Sequence, residues 1–440
     1  MLRKFTLYLT FFWLCSANLF GQKSNFEQTD RFLDSLDFYD KYMGSVLISK
    51  NGEPVYQKGI GFADLEKQQK LTTNTKFNVG SISKMFTSVL IFQAVEEGKL
   101  SLDQTLADFY PTVPNADAIT IDQLLRHRSG IANFTSNPLY LTYYTNPKTE
   151  EEMVKIIADG GSIFTPDSKS EYSNSNYVLL TFILEKTYGK RFQELLGERI
   201  SGPLDLESTR IFDEVKPEEN EARSYSFKDK WTLEAETDPS IPLGAGAIQS
   251  TVRDLSTFIE SLFAGKLISQ ESLEKMTELQ DGYGRGIFSF PYYERKALGH
   301  NGGIDGFQSL LAHFPEEKLT LVTLSNGVNF NTNDITLALL DSYFGKDIKF
   351  PSFKGYAVSP EQLESYLGEY ASEQLPLKFN FTKEGNTLIV QATGQPAIPL
   401  EATDEHTFEF RQVGATFIFD PDKGTLTFKQ GGGTFAYQKQ

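Results

Sequence analysis

Cysteine is almost absent: the chain has one, Cys15, within the first apolar run. No intrachain disulfide can form, and no set of thiolates exists for a metal centre. Long hydrophobic runs are also missing. Beyond the N-terminus nothing approaches the ~20 apolar residues of a membrane-spanning helix. Basic clusters are missing too. Lys and Arg total 42 against 58 Asp and Glu, a formal charge of -16, and no Lys/Arg stripe is set apart to track a phosphate backbone, so nucleic acid is not expected as a partner. There is no internal repeat and no low-complexity tract. What is present is ample apolar material: 40 % hydrophobic and 13 % aromatic residues over 440 positions exclude general disorder and allow two or three packed domains.

The first 21 residues read as a secretory leader, with Arg3 and Lys4 as its charged start, Phe5 to Leu14 as a short apolar run and Ala17 or Gly21 as a small-residue exit. Cleavage is expected after Gly21. The run is too short for an anchor. Leu14 precedes Cys15 where a lipoprotein signal wants a small residue, so lipidation through Cys15 is not expected. Loss of Arg3 and Lys4 and of no acid takes the charge from -16 to -18 and leaves a mature chain without cysteine. The expected location is periplasmic or extracellular.

After a short helical lead-in, Gly44 to Ile48 and Pro54 to Tyr56 flank Asn51-Gly52, a strong hairpin signal. From Ser81 to Glu97 there is no Gly or Pro, and Ile82, Met85, Phe86, Val89 and Leu90 recur at helical spacing up to the stop at Gly98, which predicts a buried helix. Thr120 to Lys275 mixes helical patterns (Tyr177 to Lys186, Phe192 to Arg199, Val252 to Phe263) with loops, as an inserted helical subdomain would. Strand patterns return at Phe307 to His313 and Leu319 to Ser325 around the turn Pro315 to Lys318, before a last helix at Thr336 to Tyr343. Beyond Gly345 lies a connector, then a helix start with Ser359 as N-cap, Pro360 first and Gln362 completing a capping box. Alternating apolar pairs such as Phe379/Phe381, Phe417/Phe419 and Leu426/Phe428, separated by turns such as Asp420 to Gly424, then predict an antiparallel barrel. The fold class is α/β in the α+β sense, divided as 1–21 leader, 22–349 mixed domain and 350–440 all-β domain, with the break near Phe350.

Three motifs carry chemistry. In FNVGSISKMF, Ser81 and Lys84 stand at i and i+3 on one helix face, at the N-terminus where the dipole favours developing negative charge. A serine hydroxyl needs a neighbour to take its proton, and burial lowers a lysine pKa, so Lys84 is a candidate base or orienting cation. In EYSNSNYVLL, Tyr172 offers a phenol that can move a proton and Asn174 an amide that both donates and accepts. In GHNGGIDGF, His300 precedes Gly302 and Gly303, whose missing Cβ atoms let a strand edge approach a ligand and present a backbone NH to an oxyanion. Singly, each has an ordinary structural reading. The chain holds a second pair, Ser272 and Lys275, read as solvent-facing on a Glu-rich helix, and a second Tyr-x-Asn, Tyr144 to Asn146, marked as a turn by Pro147.

In combination and order these motifs resemble the serine β-lactamase, penicillin-binding protein and D-aminopeptidase superfamily, in its class C-like, S12-type branch. The resemblance runs from Asp30 to Phe344 and includes LLRHRSGI, FTPDSKSEYSNSNYVLL and GAGAIQSTVRDL. It implies an antiparallel sheet flanked by helices with a helical subdomain. It also implies Ser81 as the acylated nucleophile, Lys84 and Tyr172 sharing proton traffic, and Asn174 positioning Lys84 and the substrate carbonyl. The oxyanion hole would come from the NH groups of Ser81 and Gly303, with Gly302 beside it. His300 stands where penicillin-recognising members place a lysine for the substrate carboxylate, as in peptidase- and esterase-like members, which points away from β-lactam hydrolysis. His127 falls in a segment read as structural, and His313 and His406 have no partner motif. The C-terminal part weakly resembles a lipocalin-like barrel, whose role the sequence leaves open.

The implied protein is a secreted serine hydrolase that cleaves small amides, peptides or esters through an acyl-enzyme. It needs no metal or cofactor, its partner is a small-molecule or peptide substrate, and its oligomeric state is open. The competing readings are a non-turnover receptor of peptidoglycan fragments, which would have no need of Lys84 and Tyr172, and a true class C-like β-lactamase, which His300 disfavours.

Overall fold

The structure, a computed structural model, describes residues 19–440 except 229, 352 and 354, with side chains from residue 26 onward. The charged start and apolar run of the predicted leader lie outside the described residues. Among those described, no helix is long and apolar enough to cross a membrane. The chain divides into two compact units, Asp40–Phe330 and a second in which the N-terminal helix α1 (Leu19–Phe38) joins Asn331–Gln440.

Asn51 and Gly52 both adopt positive φ, 54° and 85°, the pair a type I′ turn needs. They fold β1 (Tyr42–Lys50) onto β2 (Glu53–Ile60) as the sequence predicts. The remaining strands of this sheet come from the other end of the first unit: β3 (Phe288–Tyr292), β4 (Arg295–Ile304), β5 (Phe307–Phe314) and β6 (Leu319–Val328). Their order is β3-β4-β5-β6-β1-β2, every neighbour antiparallel, and a short hairpin at Tyr225–Phe227 and Trp231–Leu233 joins β6 through Gly327. The pairing of β3 with β4 stops at Gly299, so His300–Ile304 has β5 on one side and, among the described residues, no strand on the other.

A single 3-10 turn, Gly80–Ile82, leads into α2 (Ser83–Glu96). Every residue of α2 from Ser83 to Phe92 is buried, because its apolar residues run round all faces rather than along one stripe. The same holds for Ser175 to Leu184 of α3 (Asn174–Tyr188). Amphipathic α4 (Val252–Phe263), capped by Thr251, stacks Phe258 on Phe86 of α2 with ring centroids 3.7 Å apart. Burial of each such large apolar side chain contributes roughly 1.5–3 kcal/mol. Next comes α5 (Gln270–Thr277), which carries the second serine–lysine pair. The helix expected to end at Arg199 instead passes from α-helix (Phe192–Leu196) into a π-turn that ends at Ser201.

In the second unit the lead-in helix α1 has 20 residues, well beyond a short lead-in. The last helix of the mixed segment, α6 (Thr332–Tyr343), starts four residues earlier than its apolar pattern suggests. Asn331 caps it by accepting from the NH of Asn333 at 2.8 Å. The two helices meet where Thr29 donates to Ser342 at 2.6 Å, and Phe350 packs edge-on to Phe32. The predicted break near Phe350 therefore lies inside this unit, and the division falls between Phe330 and Asn331. Ser359, Pro360 and Gln362 form the expected capping box.

The C-terminal strands form one nine-stranded sheet. In it β7 (Gly368–Ala371), β8 (Phe379–Glu384), β9 (Thr387–Ala392) and β10 (Ala397–Pro399) run to one edge. Through β15 (Gly433–Lys439), β14 (Thr425–Gln430), β13 (Ala415–Asp420) and β12 (Thr407–Phe410) it reaches β11 (Glu401–Asp404) at the other. Its two edges, β10 and β11, are separated in the chain only by Leu400, so the sheet curls into a nearly closed barrel. The inward face is ring-filled: Phe379, Phe381, Phe417, Phe419 and Phe428 are each at most 4 % exposed and pack on one another in edge-to-face and tilted pairs. A small barrel packed in this way stabilises itself with side chains where a larger one would hold a ligand.

Candidate active site

Ser81 sits in the 3-10 turn before α2, where backbone NH groups point outward. Gly80 makes the turn possible: its φ is +52°, and a Cβ there would lie 2.8 Å from both N and O of Gly303. Gly302 is as tightly placed, because a Cβ would meet the Val79 carbonyl at 2.1 Å and the Ser81 nitrogen at 2.9 Å. The open edge of β4 therefore runs directly against the serine turn. The NH groups of Ser81 and Gly303 belong to the two backbones on either side of that gap.

Lys84, one turn on, is fully buried, and its Nζ contacts three oxygens: Ser81 Oγ at 3.0 Å, Asn174 Oδ1 at 2.8 Å and the Ala245 carbonyl at 2.6 Å. Burial drives its pKa well below the ordinary lysine value, and no carboxylate among the described residues offsets this. Two of the three oxygens can only accept. A neutral amine satisfies both with its two N–H bonds and turns its lone pair to the Ser81 hydroxyl. The Asn174 amide is held in the required sense, since its Nδ2 donates to Thr135 Oγ1 at 3.1 Å and its backbone NH to Asn133 Oδ1 at 3.1 Å.

Tyr172 precedes α3 and donates its hydroxyl to Ser81 Oγ at 2.6 Å. Burial raises its pKa, the Ser81 hydrogen bond opposes this and Tyr283 adds to it, so the phenol keeps its proton at neutral pH. Its ring lies over Lys84 Nζ at 5.0 Å and against His127 at 4.5 Å. His127 is more than a passive filler: its Nδ1 accepts from the NH of Ser173, the residue that links Tyr172 to Asn174, at 3.2 Å. Burial lowers the His127 pKa well below the ordinary value and keeps the ring neutral.

His300 lies 1 % exposed behind the cleft, against Phe288 at 4.4 Å, with Nδ1–H donating to the Asn301 carbonyl. Burial lowers its pKa to about 3. Its side chain is not among the residues that line the cleft, which encloses about 680 Å³ before Ser81 and Tyr172 and is bordered by Tyr283, Phe288, Phe307 and Gln308. The predicted Ser81, Lys84, Tyr172, Asn174, Gly302 and Gly303 come together, while His300 supports from behind.

Sequence reasoning passed over the Ala245 carbonyl, Asn133 and Thr135. Ala245 lies in the quoted GAGAIQSTVRDL, but a carbonyl role has no side-chain signature. The pair Ser272 and Lys275 is not solvent-facing as a unit. Ser272 is buried, receiving a hydrogen bond from Ser269 Oγ, and only Lys275 is exposed, paired with Glu271 at 2.8 Å.

The β-lactamase family profile matches residues 37–343, well over half of the chain. The chain belongs to the β-lactamase family and is a serine hydrolase. It is 24 % identical over 426 residues to penicillin-binding protein 4* of Bacillus subtilis, covering 89 % of this chain and 94 % of that one. It is 27 % identical over 309 residues to the teichoic acid D-alanine hydrolase of Staphylococcus aureus, covering 68 % and 73 %. Among solved structures, D-amino acid amidase of Ochrobactrum anthropi SV3 superposes with a TM-score of 0.66 at 26 % identity, over 73 % of this chain and 99 % of that one.

Proposed function

We propose that the protein hydrolyses small amides or esters through an acyl-enzyme on Ser81. The observation that carries this is the position of Ser81 Oγ between Lys84 Nζ at 3.0 Å and the Tyr172 hydroxyl at 2.6 Å. Neutral Lys84 takes the Ser81 proton as Oγ attacks the carbonyl carbon. The NH groups of Ser81 and Gly303 receive the oxyanion. Tyr172 gives its proton to the leaving nitrogen or oxygen and regains one from the Lys84 ammonium, which leaves both groups reset for deacylation. Water then attacks the acyl carbon by the reverse route, releasing the acid and restoring Ser81. Asn174 orients Lys84, and His127 and His300 hold the surrounding backbone and rings.

Amidase and D-alanine hydrolase relatives support this substrate class. With His300 buried and neutral, no fixed cation stands among the described residues that line the cleft to hold a substrate carboxylate, so β-lactams are disfavoured. Export, guided by residues 1–21, completes the reading. The test is intact-mass analysis after a fluorophosphonate probe, with kcat/KM for D-alaninamide, p-nitrophenyl acetate and a cephalosporin. One label on Ser81 and faster turnover of the first two are expected. A cephalosporin value well above both would overturn it.

A further inference from the structure

Among the described residues that line the cleft, Asp305 alone carries a formal charge. It stands two residues beyond Gly303, in the two-residue turn between β4 and β5, with φ at +51°. Thr237 fixes the carboxylate, its hydroxyl donating to Oδ1 at 2.6 Å and its NH to Oδ2 at 3.2 Å. Neither donor is charged, and no lysine, arginine or histidine of the described residues pairs with it. Burial raises its pKa, the two Thr237 hydrogen bonds oppose this, and the charged neighbours Glu236 and Glu234, of the same sign, add to the rise. The other ionisable group beside Ser81, the Lys84 amine, is buried, committed to three oxygens and kept neutral by burial. A partly buried aspartate without a counter-ion, among cleft-lining residues that are otherwise neutral, keeps acceptor capacity that a cation can complete. Anions meet the opposite field.

We infer that Asp305 selects substrates with a free ammonium group near the scissile carbonyl, so that aminoacyl amides and esters are taken in preference to their N-acylated or carboxylate-bearing counterparts. This rests on acyl transfer at Ser81. Asp305 touches the substrate's ammonium and not the reacting atoms, so its removal affects selectivity between substrates more than the chemistry common to all.

The test compares kcat/KM for D-alanine p-nitroanilide, N-acetyl-D-alanine p-nitroanilide and p-nitrophenyl acetate on the wild type, Asp305→Asn and Asp305→Glu. The wild type is expected to favour the free amine over its acetylated form at least tenfold. Asp305→Asn should lower turnover of the free amine by roughly tenfold to a hundredfold, chiefly through KM, and leave the other two within about threefold. Asp305→Glu, which keeps the charge, should recover part of the preference. An equal loss on all three substrates in Asp305→Asn would mean that Asp305 only pins the turn to Thr237, and an acetylated substrate turned over as fast as the free amine by the wild type would also overturn the inference. Absence of any p-nitrophenyl acetate turnover and of any fluorophosphonate label would instead remove the acyl-enzyme reading on which it stands.

Discussion

Two serine–lysine pairs share one spacing and one kind of element, yet they meet opposite fates. Ser81 and Lys84 open a helix buried on every side, where the amine has lost its water and gained two carbonyl oxygens and a hydroxyl. Ser272 and Lys275 lie on α5, where Ser272 belongs to the helix cap and Lys275, 51 % exposed, reaches Glu271 across one turn. An i, i+3 pair becomes a nucleophile and base only when the surrounding fold desolvates the amine and aims it. The same residue types in solvent make a surface ion pair worth little.

The contrast breaks most clearly at the serines. Ser81→Ala should abolish fluorophosphonate labelling and reduce turnover by at least roughly 10⁴-fold, whereas Ser272→Ala should leave both unchanged. A label that maps to Ser272 would reverse the assignment. Lys84→Met and Tyr172→Phe should each cost roughly 10²- to 10⁴-fold in kcat, and the double variant far less than the product of the two, because they serve one proton relay. Kinetics of the full cycle checks this, with Lys275→Met as the control.

Gly302→Ala should cost about 10²-fold in kcat/KM with the fold retained, since its Cβ has to displace the Val79 carbonyl and shift the Ser81 turn. Circular dichroism with labelling kinetics separates misplacement from unfolding. The smallest effects are in stability. The unfolded chain keeps a proton on Lys84 up to its ordinary pKa of 10.5, while the folded chain releases it at lower pH. Between those values the unfolded state binds more protons, so this site's contribution rises with pH and fades as pH falls. Urea melts of Lys84→Met against wild type should show that slope removed, while Lys275→Met changes stability by no more than about 0.5 kcal/mol at any pH.

Much of the site was legible because each motif joins a local signal to a chemical one. Gly80 and the unbroken apolar run to Glu97 mark a buried helix start, and the His300 motif carries the glycines that close backbone approach requires. Less was legible where the partner is a main-chain atom or a distant loop. Nothing in Ala245 announces that its carbonyl holds a lysine, and His127 shows its role only once Ser173 and Tyr172 are seen beside it. The start of α6 was missed because a capping Asn331 extends a helix beyond its apolar pattern. The compact units divide at Phe330, ahead of the composition change near Phe350, because α1 and α6, which are far apart in the sequence, pack as one piece.

By itself the sequence determined the local geometry: the type I′ turn at Asn51-Gly52, the buried character of α2 and α3, the barrel's alternation and the spacing of Ser81 to Lys84. Those depend on neighbours along the chain, whose steric and hydropathic preferences act over one or two turns. Tertiary structure decided which serine–lysine pair is desolvated and aimed, that His300 stands behind the cleft, and that Asp305 joins the cleft lining with Thr237 as its partner. These outcomes depend on desolvation and on the approach of segments up to some 220 residues apart, such as Gly303 against Gly80. Only the assembled fold sets those distances, and the energy of a charge or a hydrogen bond depends on them steeply.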